Sequence, residues 1–219
     1  MCYVFKHIPL ELPSLKRVTV NGSRFYETPT GNKYPSVTSV TGLRGQAHIH
    51  EWRKRVGEEE ANKISSRASS RGTRIHSLCE DYLNNESPTV DMFDAPVWNS
   101  FVPVLKHIDN VYALEAMLFS HYLEVAGTVD CVAEYNGVLS IIDFKTSRRI
   151  KKIDEISNYF IQTAMYAVAF AEMTDINVPQ LVVLMAIDDE EPEVFIQKTV
   201  VWIPEAVKER KYFRHRKGI

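Results

Sequence analysis

The stretch Gly127–Lys145, GTVDCVAEYNGVLSIIDFK, decides the fold that we predict for this chain. The segments on either side of Asn136-Gly137 are rich in β-branched and apolar side chains, which favour β-strands. Asn-Gly is the preferred dipeptide of a two-residue type I′ turn, because both turn positions require φ > 0. The stretch therefore predicts a β-hairpin in which Tyr135 faces Val138.

This register brings three charged side chains together. Asp130 falls directly opposite Asp143, and opposed residues of an antiparallel pair have Cβ atoms roughly 4.5–5.5 Å apart. Lys145 follows Asp143 by two residues, so it projects from the same face. The hairpin is rich in apolar residues, and a buried carboxylate is costly unless it is paired or binds a metal. A plain salt bridge from Lys145 is one alternative, but one lysine cannot readily neutralise both acids, and we interpret the group as a Mg²⁺ site.

Three short motifs resemble those of a known family. The hairpin carries GTVD at residues 127–130 and IDFKT at residues 142–146, and Gln162 and Tyr166 follow at a spacing that places them on one helix face. Together they resemble the PD-(D/E)xK nuclease superfamily, with Val129 in place of its usual proline. Within it, the similarity is to the RecB-like exonuclease branch and the mitochondrial genome maintenance exonuclease group.

The resemblance implies a fold and a reaction. The fold is α/β, with a central mixed β-sheet flanked by helices and an N-terminal helical arm. The reaction is phosphodiester hydrolysis with one or two Mg²⁺ or Mn²⁺ ions, hard cations that oxygen ligands select. The implied metal ligands are His76, Asp130, Asp143 and the backbone carbonyl of Phe144. The implied catalytic residues are Asp130, Asp143, Lys145, Gln162 and Tyr166.

His76 lies in a predicted helix at residues 71–83. A histidine beside an apolar stripe is more often a packed core residue than a ligand. The pattern Arg-Gly-x-x-x-His is nevertheless similar to the motif that precedes the hairpin in RecB-like nucleases, and the resemblance implies that His76 binds metal. Glu80, one turn later, is a further acidic candidate. Glu115, in a predicted strand at residues 112–123, is another, although an exposed strand residue is the alternative there.

Basic residues precede and follow these motifs. The span Arg44–Arg74 holds eight Lys or Arg against four acids, although the net charge of the whole chain is −2. Such a run is either a solvated helix face or a DNA contact. Hydroxyls at residues 36–38 either cap the next helix or donate to phosphates. The DNA-binding candidates are Ser36, Thr38, Arg53, Arg55, Arg67, Arg71, Arg74, Arg148 and Arg149.

The remaining elements follow from periodicity and turn residues. An Asn21-Gly22 turn predicts a hairpin between residues 17–20 and 24–26, and Gly57 is expected to divide the helical span 46–70. Later helices are expected at 97–109 and 153–173, strands at 181–187 and 193–201, and a solvated acidic turn at 188–191. We predict a single nuclease domain over residues 1–219, made of an N-terminal hairpin and helical arm (1–70), a core (71–203) and a basic C-terminal helix (204–219).

Composition excludes several classes of protein. The chain is 45% hydrophobic and 25% charged, as is ordinary for a globular domain, and has no apolar run long enough for a membrane span. Three cysteines (Cys2, Cys79 and Cys131) are too few for the four-cysteine iron–sulfur cluster of some RecB-like relatives. The N-terminus lacks secretory and transit character, so we expect a cytoplasmic protein encoded by a bacterium or phage.

The resemblance and the residues together predict a metal-dependent deoxyribonuclease, an exonuclease acting on ends of single-stranded DNA in replication, repair or recombination. We expect a monomer whose partner is single-stranded DNA with a free end, alongside other replication or recombination proteins. Two alternatives stay open. One is an endonuclease or spacer-processing nuclease with the same site, and the other is a non-catalytic DNA-binding module.

Overall fold

The computed structural model describes residues 3–20 and 22–218. The described chain contains fourteen α-helices and β-strands and one 3₁₀-helix at Ile153–Ile156. In chain order they are β1 (Lys16–Val20), β2 (Ser23–Glu27), β3 (Lys33–Pro35), α1 (Val37–Gly42), α2 (Gln46–Val56), α3 (Glu58–Leu83), α4 (Ala95–Leu105), β4 (Ile108–Ser120), β5 (Val125–Tyr135), β6 (Val138–Ser147), α5 (Ser157–Thr174), β7 (Gln180–Ile187), β8 (Glu193–Lys198) and α6 (Thr199–Lys217).

The central sheet has the strand order β4-β5-β6-β7-β8 and confirms the predicted mixed α/β architecture. Strands β6 and β7 run parallel and are joined by the crossover helix α5, while the other neighbours are antiparallel. The predicted hairpin is present, with Tyr135 opposite Val138. Asn136 and Gly137 adopt φ values of 51° and 76°, as a type I′ turn requires.

The sheet is buried on both faces. Helix α5 packs on one face with α1 and α6, over side chains that include Ile141 and Val183. Helices α3 and α4 cover the other face, over side chains that include Ile142 and Leu184. This alternation along β6 and β7 is what a strand covered on both sides requires, since successive side chains point to opposite faces. The site described below lies where α3 and α5 meet the middle strands.

The N-terminal region forms a small sheet and a helical arm. Strands β1, β2 and β3 pair in that order, as the predicted hairpin required, although Asn21 of its turn lies outside the described residues, as does Cys2. Gly57 separates α2 from α3 with φ 93°, a conformation that glycine adopts readily. Helix α2 contains no buried residue, so it contributes no side chain to the core.

Three predicted boundaries were wrong. Residues 58–83 form one helix rather than two, because Gly72 is tolerated inside it. Helix α4 ends at Leu105 and β4 runs over residues 108–120, because residues 121–124 make the tight turn into β5. Strand β8 ends at Lys198 because its partner, Gln180, is the first residue of β7, and residues 199–201 begin α6 instead. None of the described helices is both long and apolar enough to span a bilayer.

Candidate active site

Asp130 lies where the β5–β6 ladder stops. The regular pairs between the two strands run from Tyr135–Val138 to Cys131–Ile142, one step short of the two acids. At this point the carboxylate Oδ2 of Asp130 accepts the backbone N–H of Phe144 at 2.9 Å. The predicted register is confirmed from the turn to Cys131–Ile142, but the predicted pair Asp130–Asp143 lies beyond the regular ladder. The hydrogen bond fixes the Asp130 side chain beside the strand that carries Asp143.

Asp143 is buried, with 3% of its surface exposed. Gln162 Nε2 on α5 donates to its Oδ1 at 2.8 Å, and Lys145 Nζ lies 2.5 Å from its Oδ2. Burial raises the pKa of Asp143 to about 6, the charge of Lys145 works against that shift, and the nearby Asp130 adds to it. The Asp143 carboxylate is thus held between an amide and an ammonium group.

Lys145 has a second neighbour that the sequence did not single out. Its Nζ lies 5.0 Å from the centre of the Tyr159 ring on α5, within cation–π distance. Burial disfavours the charge of Lys145, but Asp143 and Asp130 outweigh it and raise the pKa of the ammonium group. Tyr159 lies three residues before Gln162 on α5. This helical spacing was the signal in the sequence that could have placed Tyr159 on the same side of the helix as Gln162.

A candidate metal centre is formed by His76, Glu115 and Asp130. One ligand atom from each of the three side chains lies within 4.8 Å of the others. They come from α3, β4 and β5, and His76 Nδ1 is 3.6 Å from Asp130 Oδ2. Asp143, a predicted ligand, is outside this group, because its oxygens face Gln162 and Lys145. The ligand role predicted for the Phe144 carbonyl remains a prediction.

Glu115 reaches the cluster through an irregular strand. It falls between the pairs Leu114–Cys131 and Ala116–Val129, and its φ of 45° is uncommon for a residue other than glycine. Its side chain is exposed, as the alternative interpretation expected, but desolvation of its carboxyl group by the surrounding protein, then repulsion from Asp130 and Glu80, raises its pKa to about 7. A left-handed residue inside a strand costs about 1–3 kcal/mol and tends to occur at functional sites. No pattern in the sequence predicts this backbone conformation.

The chemistry of these donors fits a divalent cation. Two carboxylates and an imidazole converge, and repulsion from Asp130 adds to the effect of burial in raising the pKa of Glu115. Oxygen donors suit Mg²⁺ and Mn²⁺, and a neutral imidazole is a common additional ligand. His76 makes an edge contact with the Phe144 ring, which restricts its orientation. Glu80 stays near enough to affect Glu115 but is not one of the converging donors.

Tyr166 is placed by a glycine. A Cβ atom added to Gly127 would lie 2.7 Å from the Tyr166 hydroxyl, so only glycine admits the ring at this point of β5. Tyr166 is 3% exposed, and Gln162 on the same helix face is 9% exposed. Both predicted residues thus line the side of the site opposite α3, Gln162 against Asp143 and Tyr166 against the start of the hairpin.

Comparison with known proteins assigns the family. A profile of the PD-(D/E)XK nuclease superfamily matches residues 97–214, which is more than half of the chain. The chain belongs to this superfamily. The match includes β5, β6 and α5, the elements that supply Asp130, Asp143, Lys145, Gln162 and Tyr166.

The PD-(D/E)XK assignment agrees with the similarity to curated proteins. The chain is 31% identical over 132 residues to mitochondrial genome maintenance exonuclease 1 of Homo sapiens, covering 55% of this chain and 38% of that protein. It is 32% identical over 131 residues to the protein of the same name from Xenopus tropicalis, covering 53% and 37%. The chain thus spans about two fifths of the length of these relatives. It also resembles a crystal structure of a candidate exonuclease from Eubacterium rectale, with a TM-score of 0.47 and 14% identity over 68% of this chain and 65% of that one.

The residues predicted to contact DNA in this PD-(D/E)XK nuclease differ in their ion pairs, hydrogen bonds and exposure. Several form ion pairs: Arg53 with Glu58, Arg71 with Asp188, Arg74 with Asp94 and Arg149 with Glu155. Arg55, Arg67 and Arg148 are exposed and make no ion pair with a described residue. The buried Ser36 hydroxyl caps α1 by accepting the N–H of Ser39 at 3.1 Å, which confirms the capping interpretation, whereas Thr38 is exposed. Their DNA contacts remain predictions.

Tyr159→Leu is expected to lower turnover by about tenfold, because a desolvated cation–π contact contributes up to about 2 kcal/mol. Tyr159→Phe keeps the ring over Lys145 and should retain turnover close to that of the wild type. Steady-state hydrolysis of a linear single-stranded oligonucleotide with Mg²⁺ measures both. Equal losses in the two variants would show that the ring does not position Lys145.

Proposed function

We propose that this nuclease is a metal-dependent DNA exonuclease that degrades single-stranded DNA from an end. The observation that carries the proposal is the convergence of His76, Glu115 and Asp130 next to the ion pair between the buried Asp143 and the half-buried Lys145. The curated relatives named as exonucleases support the mode of attack, although this chain corresponds to only part of them.

Metal binding would use His76, Glu115 and Asp130, with Asp143 adjoining them. Mg²⁺ or Mn²⁺, when bound, lowers the pKa of water and stabilises the negative charge that develops on phosphate. Glu115 replaces Asp143 among the donors that converge in the structure. Because Glu115 takes this place among the metal ligands, the Asp143 carboxylate is free to act together with Lys145.

The protein's own groups orient the reacting atoms. Lys145, held by Asp143 and the Tyr159 ring, supplies a fixed positive charge and N–H donors that position the attacking water or a phosphate oxygen. Gln162 keeps the Asp143 carboxylate in one orientation. Tyr166 closes the site at Gly127 and excludes bulk water from that side. Positioning of this kind supplies much of the rate of phosphodiester hydrolysis.

Linear and circular single strands of the same length should differ sharply as substrates. A linear strand of about 60 nucleotides should be degraded with Mg²⁺, whereas its ligated circle should persist, because only an end satisfies the proposed mode of attack. Gel analysis over time measures both, and chelation with EDTA should stop the reaction. Equal cutting of the circle would overturn the exonuclease proposal and indicate an endonuclease. Absence of any metal-dependent hydrolysis would overturn catalysis itself.

A further inference from the structure

A polar cavity lies outside the group formed by His76, Glu115 and Asp130, which we call the metal-binding cluster. It measures about 610 Å³ and is enclosed by the β1–β2 hairpin, the start of α1 and the end of α6. Arg17, Arg24 and Lys217 supply three positive charges to its lining, and the hydroxyl of Thr38 also lines it. We call this cavity the hairpin groove. No acidic side chain is among the described residues that line it.

The cations of the hairpin groove are available for a ligand. Arg17, Arg24 and Lys217 are exposed, and none of them forms an ion pair with a described residue. The span Arg44–Arg74 is different, since five of its eight cations pair with carboxylates. These five are Arg44, Arg53, Lys63, Arg71 and Arg74. The groove, whose described lining contains no acidic side chain, therefore gathers three cations that have no ion pair with a described residue, as many as the whole span Arg44–Arg74 leaves without an ion pair (Lys54, Arg55 and Arg67).

The groove is connected to the strand that carries Asp130. Ser36, which lines it, forms a parallel bridge with Ala126 at the start of β5. Asp130 follows Ala126 by four residues, which corresponds to roughly 13 Å along a strand. A bound strand that leaves the groove at α1 would need only a few nucleotides to reach the metal-binding cluster. Phe25 in the groove lining, half-buried, offers an apolar surface on which a base can rest.

We propose that the hairpin groove binds the sugar–phosphate backbone of single-stranded DNA a few nucleotides away from the bond that is cut. The proposal rests on the proposed function and names a second contact for the same substrate. Unpaired arginines, a lysine and an exposed hydroxyl are the groups that bind phosphate, and an apolar surface between them suits a strand with exposed bases. Short substrates would not reach the groove, so its contribution should depend on strand length.

The test compares Arg17→Gln/Arg24→Gln with a matched control, Lys6→Gln/Lys106→Gln, which removes the same charge from exposed, unpaired residues outside the groove. Binding of fluorescein-labelled oligothymidylates of 20 and 4 nucleotides is measured in EDTA at several salt concentrations. The groove variant should bind the 20-mer about tenfold more weakly at low salt, and its log–log salt slope should fall by roughly 1.4, or about 0.7 per lost contact. The control should match the wild type. Cleavage of the 4-mer with Mg²⁺ should be the same in all three proteins.

The outcomes distinguish a failure of the groove proposal from a failure of the proposed function. A groove variant whose 20-mer affinity and salt slope equal those of the control would overturn the groove while leaving the nuclease intact. A wild-type protein that neither binds nor cuts either oligonucleotide would overturn the proposed function, and the groove with it. Melting temperatures check folding, and both arginines are exposed, so their replacement should leave the fold unchanged.

Discussion

Asp143→Asn is expected to abolish cleavage, lowering turnover by about a thousandfold, as loss of a preorganised electrostatic group does at other active sites. The substitution keeps the shape of the side chain, and its remaining oxygen can still accept the Gln162 amide. What is lost is the negative charge that faces Lys145 and adjoins the metal-binding cluster. Lys145→Ala should cause a similar loss, because it removes the only cation within ion-pair distance of Asp143 among the described residues. Initial rates on linear single-stranded DNA with Mg²⁺ measure both variants.

A loss of activity can be assigned to catalysis only if the Asp143→Asn and Lys145→Ala variants remain folded. Burial raises the pKa of Asp143, which means that its charged form is disfavoured inside the protein, so a neutral asparagine should not destabilise the fold greatly. The matched control is Asp109→Asn, an exposed residue on the edge strand β4, which should retain wild-type activity. Turnover within tenfold of the wild type for Asp143→Asn or Lys145→Ala would remove that residue from the mechanism.

The sequence predicted the centre of the fold because its signals there are local. Asn136-Gly137 determines the turn and therefore the register, and the register places Asp130 beside the strand of Asp143. The four-residue spacing of Gln162 and Tyr166 was equally informative, because a helix carries such a pair on one face. Each of these inferences needs only backbone geometry over a few residues, which short-range sequence determines well.

The parts that were missed depend on tertiary structure. Glu115 joins the cluster through a left-handed backbone conformation, which its neighbours in the sequence do not favour. Tyr159 is set against Lys145 by the packing of α5 on the sheet. The positive charge of the span Arg44–Arg74 was visible in the sequence, but its partial neutralisation by acids far along the chain, such as Asp188 with Arg71, was not. Charge counts over a segment therefore overstate its attraction for DNA.

Mg²⁺ or Mn²⁺ should stabilise the protein by about 2–3 kcal/mol at a concentration near 100 times the dissociation constant, as expected for a ligand that binds only the folded state. The cation would relieve the repulsion from Asp130, which adds to the effect of burial in raising the pKa values of Glu115 and Asp143. Glu115→Gln should raise the melting temperature of the metal-free protein and reduce the increase that metal produces. Asp109→Asn on the same strand should change neither. Calorimetry with and without metal measures all three proteins.

The pH dependence of the protein's stability provides an independent test of this prediction. The folded-state pKa values of Asp143, about 6, and Glu115, about 7, lie above their ordinary values of 3.8 and 4.5. The folded protein therefore binds more protons than the unfolded chain between about pH 4 and pH 7, and the metal-free protein should lose stability as pH rises through that range. Metal binds the deprotonated carboxylates, so its stabilising effect should grow over the same range. A metal effect that is absent, or that is unchanged in Glu115→Gln, would contradict a metal centre at His76, Glu115 and Asp130.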